Sequence, residues 1–561
     1  MRHMTFRMGL ILLCVCTLLC ACESTGTPVD TQETEPPTES QATTQPEDEQ
    51  TTEGETEMNI NTATIYPISY EGIEPTYTLT RFVKEVDYDD GSHNNEALDV
   101  GTIISPYFTV KVNGQDVPCY SVRTSRGAHS FAMLDATDES FPLSVQVSTK
   151  FDAENYKVMP LSYGVTANAN GREITTEIST YGNYTLVPDD DITHALTIFA
   201  RAKEEYVAPE GYEVIKVAPG THDEPLKFTA EKQVMYFEAG IHYMRYALMF
   251  KSNTEVYFEP GVHIIATMPS ASVETPIQNP DWAGMTGWCA LFQGQLVKNV
   301  RISGRGYIDM TQLDWHARSM IQFDQCQNVT IEGVAMNNCP AWTLHFSRCQ
   351  NVTVDQAILF GYRQNSDGIA VVDTAHAVVK NCFARSGDDL FEVKSMYGHE
   401  QLKIEDIVFE NNNAWPDKCR GMGIIYESAR DMTDIHFIGG SVAYAPATWM
   451  DDLGALIIFL NDKANLTNVT FEGIEVYSSA RYPISVKLSE NSTAHIDGVT
   501  FKDINIHCDG VIKIQNRSQS GTIDNISFIN CIRGGEVCNS KQSLNIEVDG
   551  VSKTIISYGD Q

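Results

Sequence analysis

Asn328-Val329-Thr330-Ile331 returns as Asn351-Val352-Thr353-Val354, and then less perfectly down the chain. The later copies are Ala377-Val378-Val379-Lys380, Asp406-Ile407-Val408-Phe409, Asp434-Ile435-His436-Phe437, Asn468-Val469-Thr470-Phe471, Gly498-Val499-Thr500-Phe501 and Asn525-Ile526-Ser527-Phe528. Their second residues follow one another at 23, 26, 29, 28, 34, 30 and 27 positions. Each copy has the two-residue alternation of a strand, and no helical period intervenes. A drifting repeat of this size built from strands predicts stacked β coils with loops of variable length, a parallel β-helix. Asparagines at the coil corners should form ladders, and the β-branched residues should fill the interior. Earlier runs fit the same pattern: Val214-Ile215-Lys216-Val217 before Pro219-Gly220, Val256-Tyr257-Phe258 before Pro260-Gly261, and Val300-Arg301-Ile302-Ser303-Gly304.

Within this region Asn365-Ser366-Asp367-Gly368 is followed by Gly387-Asp388-Asp389. Asp388 lies 21 residues after Asp367, about one coil. Neighbouring strands of a sheet are about 4.8 Å apart, so this spacing brings three carboxylates to one outer face. Crowded acids repel, and at least one should hold its proton above the usual range. That suits general acid/base chemistry. One geometric condition follows. Adjacent strand residues point to opposite faces, with Phe391 and Val393 inward and Asp388, Glu392 and Lys394 outward. Asp389 joins the outward set only if the chain bends near Gly387.

At 561 residues the chain is long enough for two or more domains. Its net charge of −35 offers no basic field for phosphates, which argues against a nucleic-acid partner. Arg2, His3 and Arg7 precede the apolar stretch from Leu10 to Ala21, which reads as an export signal too short to span a membrane. Leu19-Cys20-Ala21-Cys22 resembles a bacterial lipobox, which makes Cys22 a candidate lipidated residue ending a signal segment over 1–22. Residues 23–58 are mostly Thr, Glu, Gln, Pro and Ser with almost no large apolar residue, and read as an acidic disordered tether. The expectation is a bacterial cell-surface lipoprotein that meets the membrane only through this anchor.

Residues 59–205 alternate strand-like runs with turns, as in Tyr107-Phe108-Thr109-Val110-Lys111-Val112 before Asn113-Gly114. A β-sandwich is expected there, with the β-helix over 206–561. The whole is an all-β protein. Ten cysteines follow Cys22. Several recur at equivalent repeat positions, as in Cys326-Gln327-Asn328 and Cys349-Gln350-Asn351. They are read as unpaired core residues. No spacing suggests a zinc site, and no metal or cofactor is expected.

The order Gly304-Arg305-Gly306-Tyr307-Ile308-Asp309, Trp342-Thr343-Leu344-His345, Asn365-Ser366-Asp367-Gly368 and Gly387-Asp388-Asp389 with Lys394 resembles glycoside hydrolase family 28. These are the polygalacturonases and rhamnogalacturonases of the pectin-lyase-like right-handed β-helices, and the likeness covers roughly residues 210–530. A sandwich joined to such a helix is also similar to glycoside hydrolase family 49, the dextranases and isopullulanases. The chain departs from family 28 where a Gly-His-Gly segment follows the double Asp. Here Arg420-Gly421-Met422-Gly423 has no histidine. The later Arg-x-Lys is matched only loosely by Val486-Lys487-Leu488 after Arg481. These departures weigh against galacturonan more than against hydrolysis.

The resemblance implies an inverting glycosidase, with Asp388 the general acid and Asp367 and Asp389 holding and deprotonating a water. Substrate contacts are expected from Asn365, Lys394 and Arg420, with Trp342, Tyr426, Trp415 and Tyr362 as sugar platforms and Glu427 as a reserve acid. His345 is expected to be structural. The partner is a polysaccharide or oligosaccharide, pectic or glucan, and the protein a monomer. Two alternatives remain open at this point. One is a lyase or uronate epimerase on the same fold. The other is a non-catalytic surface glycan-binding protein.

Overall fold

The computed structural model describes residues 64–65, 101–267, 290–396, 402–445, 450, 453–478, 482–550 and 556–559. The signal segment with Cys22, the tether, Cys289 and Arg481 lie outside the described residues. Two sheets form first. One runs in the order Thr102–Ile104, Cys119–Thr124, Gly127–Ala136, His194–Ala202, Gly182–Pro188 and Tyr156–Met159, with Thr64–Ile65 alongside Gly127–Ala136. The other runs Gln115–Val117, Phe108–Val112, Leu143–Thr149, Glu173–Ile178 and Asn168–Asn170. Asn113 and Gly114 both take positive φ, 49° and 78°, between paired Val112 and Gln115. This is the tight hairpin that Asn-Gly encodes. Phe108, Val110, Val145 and Val147 of one sheet pack on Ala132, Leu134, Leu186 and Ile198 of the other, which makes a sandwich.

From Glu213 onward the described residues wind into three long sheets of 13, 13 and 11 strands, parallel except where Glu536–Val537 folds back on Ile532–Arg533. Each repeat copy supplies a strand of the first sheet. The asparagine that opens it takes the left-handed conformation, φ 56° at Asn328 and 58° at Asn351. Its carboxamide donates to the coil before: Asn299 to Asn253 at 2.8 Å, Asn328 to Asn299 at 2.7 Å, Asn351 to Asn328 at 2.9 Å. A short amide side chain both tolerates this backbone and satisfies its neighbours. Inside, the residue that closes the repeat stacks on its equivalents. Phe409, Phe437, Phe471, Phe501 and Phe528 have successive ring centroids 4.8, 4.7, 5.0 and 5.2 Å apart.

The sandwich and the solenoid share a second core. Tyr120, Phe131, Met133 and Phe199 leave the sandwich and pack on Tyr307, Ile358, Phe360, Phe383 and Trp415, which point outward from the second sheet of the solenoid. Both strands of the hairpin Cys119–Thr124 and Gly127–Ala136 are therefore buried on both faces. The second sheet is covered by the sandwich. The third sheet and the corner leading into it carry the acidic motifs. The nine cysteines among the described residues are free thiols.

Candidate active site

Gly387 and Asp388 form a bend between Phe383–Ser386 of the second sheet and Phe391–Ser395 of the third. The double Asp thus sits in a corner and not in a strand, so both carboxylates turn the same way despite being neighbours in sequence. Beyond the corner the alternation resumes. Phe391 and Val393 enter the core, while Glu392 and Lys394 point away from it. The Asn365 motif occupies the same corner one coil earlier. Gly368 N–H donates to the Asp389 carbonyl at 2.8 Å and Ile369 N–H to that of Leu390 at 2.7 Å. A side chain on Gly368 would strike the Leu390 carbonyl at 2.4 Å, so only glycine lets the coils approach this closely.

Asp388 is held by main chain. Its Oδ2 accepts from Asn365 N–H at 2.7 Å and its Oδ1 from Asp389 N–H at 3.0 Å. Cys419 adds a side-chain hydrogen bond. Burial, and next the charge of Asp389, push the Asp388 carboxyl up, and the donated hydrogen bonds oppose this. Asp389 is fixed by Arg420, whose N–H reaches Oδ1 at 3.1 Å and whose Nη1 reaches Oδ2 at 2.9 Å. Asp367 is only 3% exposed, and its Oδ1 has no hydrogen-bond partner. Burial, then the charges of Asp388 and Glu392, raise it well above the ordinary carboxylate range. Carboxylate oxygens of Asp367, Asp389 and Glu392 lie within 4.8 Å of one another.

Glu392 is the acid that the sequence reading placed outward but gave no role. It is fully buried, between Ala370 of the preceding coil and Gly423 of the next, neither of which crowds it. Lys394 Nζ lies 3.0 Å from Glu392, 3.1 Å from Glu427 and 3.9 Å from Asp389. It also sits 5.1 Å from the centre of the Trp342 ring. Glu427 reaches it because the register slips between Val393 and Ser395, and the paired strand bulges through Ile425, Tyr426 and Glu427. Burial alone would lower Lys394, but Glu392, Glu427, Asp389 and Asp367 raise it well above its usual value. Burial pushes Glu392 up to about 8, against the pull of Lys394. Lys394 has the larger number of charged partners and stays charged; Glu392 is the member of the pair that takes up a proton.

The other expected contacts divide. Asn365 uses its side-chain oxygen on His316 Nε2 at 2.8 Å and its main chain on Asp388. Arg420 and Lys394 are both engaged by the protein's own acids. Trp342 is mostly buried, edge-on to His345 with ring centroids 4.9 Å apart. Tyr426 is 41% exposed and lies beside Phe459. Trp415 and Tyr362 do not face a groove. Trp415 packs under the sandwich, and Tyr362 is covered by Arg123, whose guanidinium is 4.7 Å from the ring centre. Both aromatics lie on the covered second sheet or at its edge, a burial that the sequence of the solenoid alone does not reveal. His345 is fully buried with Nε2 2.6 Å from Ser347 Oγ. Cys419, beside Asp388, escaped the sequence reading because a lone cysteine carries no spacing signal.

Comparison with known proteins agrees with the family-28 resemblance. The profile described as "Glycosyl hydrolases family 28" matches residues 271–413, which contain all three aspartates. That match supports a glycoside hydrolase that degrades polysaccharide. Among solved structures, the chain is similar to a hyperthermoactive exopolygalacturonase from Thermotoga maritima, with 15% identity, 55% of this chain and 85% of that chain covered, and TM-score 0.40. It is similar to Dex49A from Penicillium minioluteum, with 12% identity, 83% and 96% covered, and TM-score 0.46. It is also similar to a family 28 exopolygalacturonase from Yersinia enterocolitica, with 13% identity, 74% and 96% covered, and TM-score 0.39. A search of curated proteins returned no match.

Proposed function

We propose that this protein is an inverting glycoside hydrolase in which Asp388 protonates the leaving oxygen while Asp389 deprotonates the attacking water, which Asp367 helps to hold. The observation that carries the reading is the unequal setting of neighbouring acids. Asp388 is fixed by two main-chain N–H groups with its carboxyl raised, and Asp389 is pinned by Arg420. Protonating a leaving group beside an activated water needs neighbouring acids held in unlike settings, as these are. Asp367, with one oxygen unpartnered, completes the water site. The carboxyls titrate as a set, and the roles belong to the cluster more than to any one pKa.

Five acids, Asp367, Asp388, Asp389, Glu392 and Glu427, surround two cations, Lys394 and Arg420. Both cations are already engaged by these acids, which leaves no dedicated partner for a substrate carboxylate and favours a neutral glycan over a polyuronate. The lipobox-like Cys22 and the acidic segment after it fit a surface-anchored enzyme. The test is product analysis on dextran, pullulan, polygalacturonate and rhamnogalacturonan. New reducing ends whose first-formed anomer is opposite to that of the cleaved bond support the reading. Retention of configuration, or unsaturated products absorbing in the ultraviolet, would sink it.

A further inference from the structure

The hairpin tip of the sandwich, Thr124-Ser125-Arg126-Gly127, reaches three successive corners of the solenoid. At the first, Ser125 Oγ donates to the Tyr362 carbonyl at 2.8 Å, three residues before Asn365. At the second, a methyl group added to Gly387 would come within 2.7 Å of Ser125 Oγ, so the hydroxyl rests on the residue that precedes Asp388. At the third, Arg126 Nε donates to the Asp417 carbonyl at 3.1 Å, two residues before Cys419 and three before Arg420. The Asp417 carboxylate is itself held by Arg385 at 3.1 Å, with a further hydrogen bond from Thr124. Arg385 is fully buried and ties back to the sandwich through His129 Nδ1 and the Ile192 carbonyl, both at 2.9 Å.

Each corner therefore carries a site residue just downstream of its contact with the tip. Asn365 donates to Asp388, Gly387 precedes Asp388, and Arg420 grips Asp389. Ser125 is 1% exposed, and its hydroxyl meets main chain on one side and a glycine on the other. The coil-to-coil main-chain bonds made by Ser386 resume only at Asp389, so contacts from outside help to set the bend at Gly387 and Asp388. We propose that Ser125 and Arg126 are positioning residues, and that the sandwich acts as a clamp holding the three corners in the geometry that places Asp388 and Asp389. This rests on the hydrolase reading of the acids. It gives the N-terminal domain a part in turnover that the acidic motifs do not disclose.

The experiment compares S125A/R126A with the wild-type protein and with N183A. Asn183 Nδ2 donates to Asn413 Oδ1 at 3.1 Å elsewhere on the same interface, so N183A controls for general weakening of the joint. Measured are kcat and KM on the active polymer, the pH profile of kcat, thermal stability, and hydrogen exchange at 387–389 and 419–420. The double variant is expected to lose about 10–100-fold in kcat with KM little changed, since small displacements of reacting groups cost this much. Its alkaline pH limb should move, and exchange at the corners should rise. N183A should lower stability while keeping kcat and the pH profile. Wild-type kcat, an unmoved pH limb and unaltered corner exchange in S125A/R126A would overturn the clamp. If the double variant does not fold, R126K keeps the charge but loses the Nε–H donor, and the same readings apply to it. No turnover by the wild-type protein on any polymer would count against the hydrolase reading alone. The clamp would then stand or fall on the exchange measurement.

Discussion

Asn365 N–H donates to Asp388 Oδ2 across 2.7 Å, so the two acidic motifs are joined by main chain and not merely stacked. Asn365 adopts φ 59° to make this possible, a left-handed turn that asparagine accepts at small cost. The turn aims the N–H into the next coil, and a substrate-independent contact thereby sets the orientation of the expected general acid.

Because that contact needs only an acceptor, Asp388→Asn should retain it through the amide oxygen. The variant is expected to fold, with a Tm within a few degrees of wild type, and to lose at least about a thousandfold in kcat, the combined cost of losing the proton donor and its electrostatic role. Thermal melts beside initial-rate measurements check this. Turnover close to wild type would remove Asp388 from the mechanism.

Asp388 must carry its proton to act, and its carboxyl is raised by burial and by Asp389. Activity should therefore persist above the ordinary carboxylate range and fall as pH rises through the shifted value. The Cys419 hydrogen bond favours the charged form and pulls the other way. Cys419→Ala should move the alkaline limb of kcat upward. A downward shift would mean that the thiol does not donate to Asp388.

The solenoid was legible because its repeat is dense. Asn328-Val329-Thr330-Ile331 states in four residues a corner amide, two inward side chains and one outward. The three aspartates were legible because coil length converts sequence spacing into neighbourhood. One thing was legible only as a condition, and one was hidden. The corner at Gly387 frees Asp388 and Asp389 from strand alternation, and alternation taken alone had made their partnership a difficulty. The sandwich covers Trp415 and approaches Tyr362, and no local pattern reports which face of a solenoid another domain will occupy. Glu392 lay between these cases. Its outward parity was readable, but its closeness to Asp367 and Asp389 depends on small neighbours, Ala370 and Gly423, in coils above and below.

Lys394 is surrounded by Glu392, Glu427 and Asp389 at 3.0, 3.1 and 3.9 Å. Lys394→Met removes the charge that these acids share and leaves the buried pair Glu392 and Asp389 without it. Above pH 8, where Glu392 is charged, the expected loss is about 3–5 kcal/mol, the cost of breaking a buried pair from one side. Adding Glu392→Leu should recover part of it, because the acid that is most buried no longer needs a partner. Chemical denaturation of the two variants measures both terms. A double variant less stable than Lys394→Met by the full cost of Glu392→Leu alone would show that the two residues are not coupled.

Asn328 makes a prediction far from the acids. Its φ of 56° and its place between Asn299 and Asn351 give it two separable roles, turn former and ladder member. Asn328→Gly keeps the turn and breaks the ladder, whereas Asn328→Ala breaks both. Alanine should cost about 1–2 kcal/mol more than glycine, the strain of a β-carbon in the left-handed region. Neither change should alter kcat.

Stability against pH should reveal Glu392 directly. Its folded carboxyl is raised to about 8, so between roughly pH 4.5, where a free glutamate titrates, and pH 8 the folded state binds more protons than the unfolded one. The group therefore subtracts stability progressively as pH rises through that window, with its contribution least unfavourable below it and level above it. Glu392→Gln resembles the protonated form at every pH. The variant's Tm relative to wild type should climb steadily from pH 5 to pH 8 and then flatten. The same comparison at pH 5 alone should show little difference, because Glu392 is then neutral in the wild-type protein as well. A gap that stays constant across the window, or that narrows as pH rises, would mean that Glu392 is ionised throughout and that Lys394 compensates its burial fully.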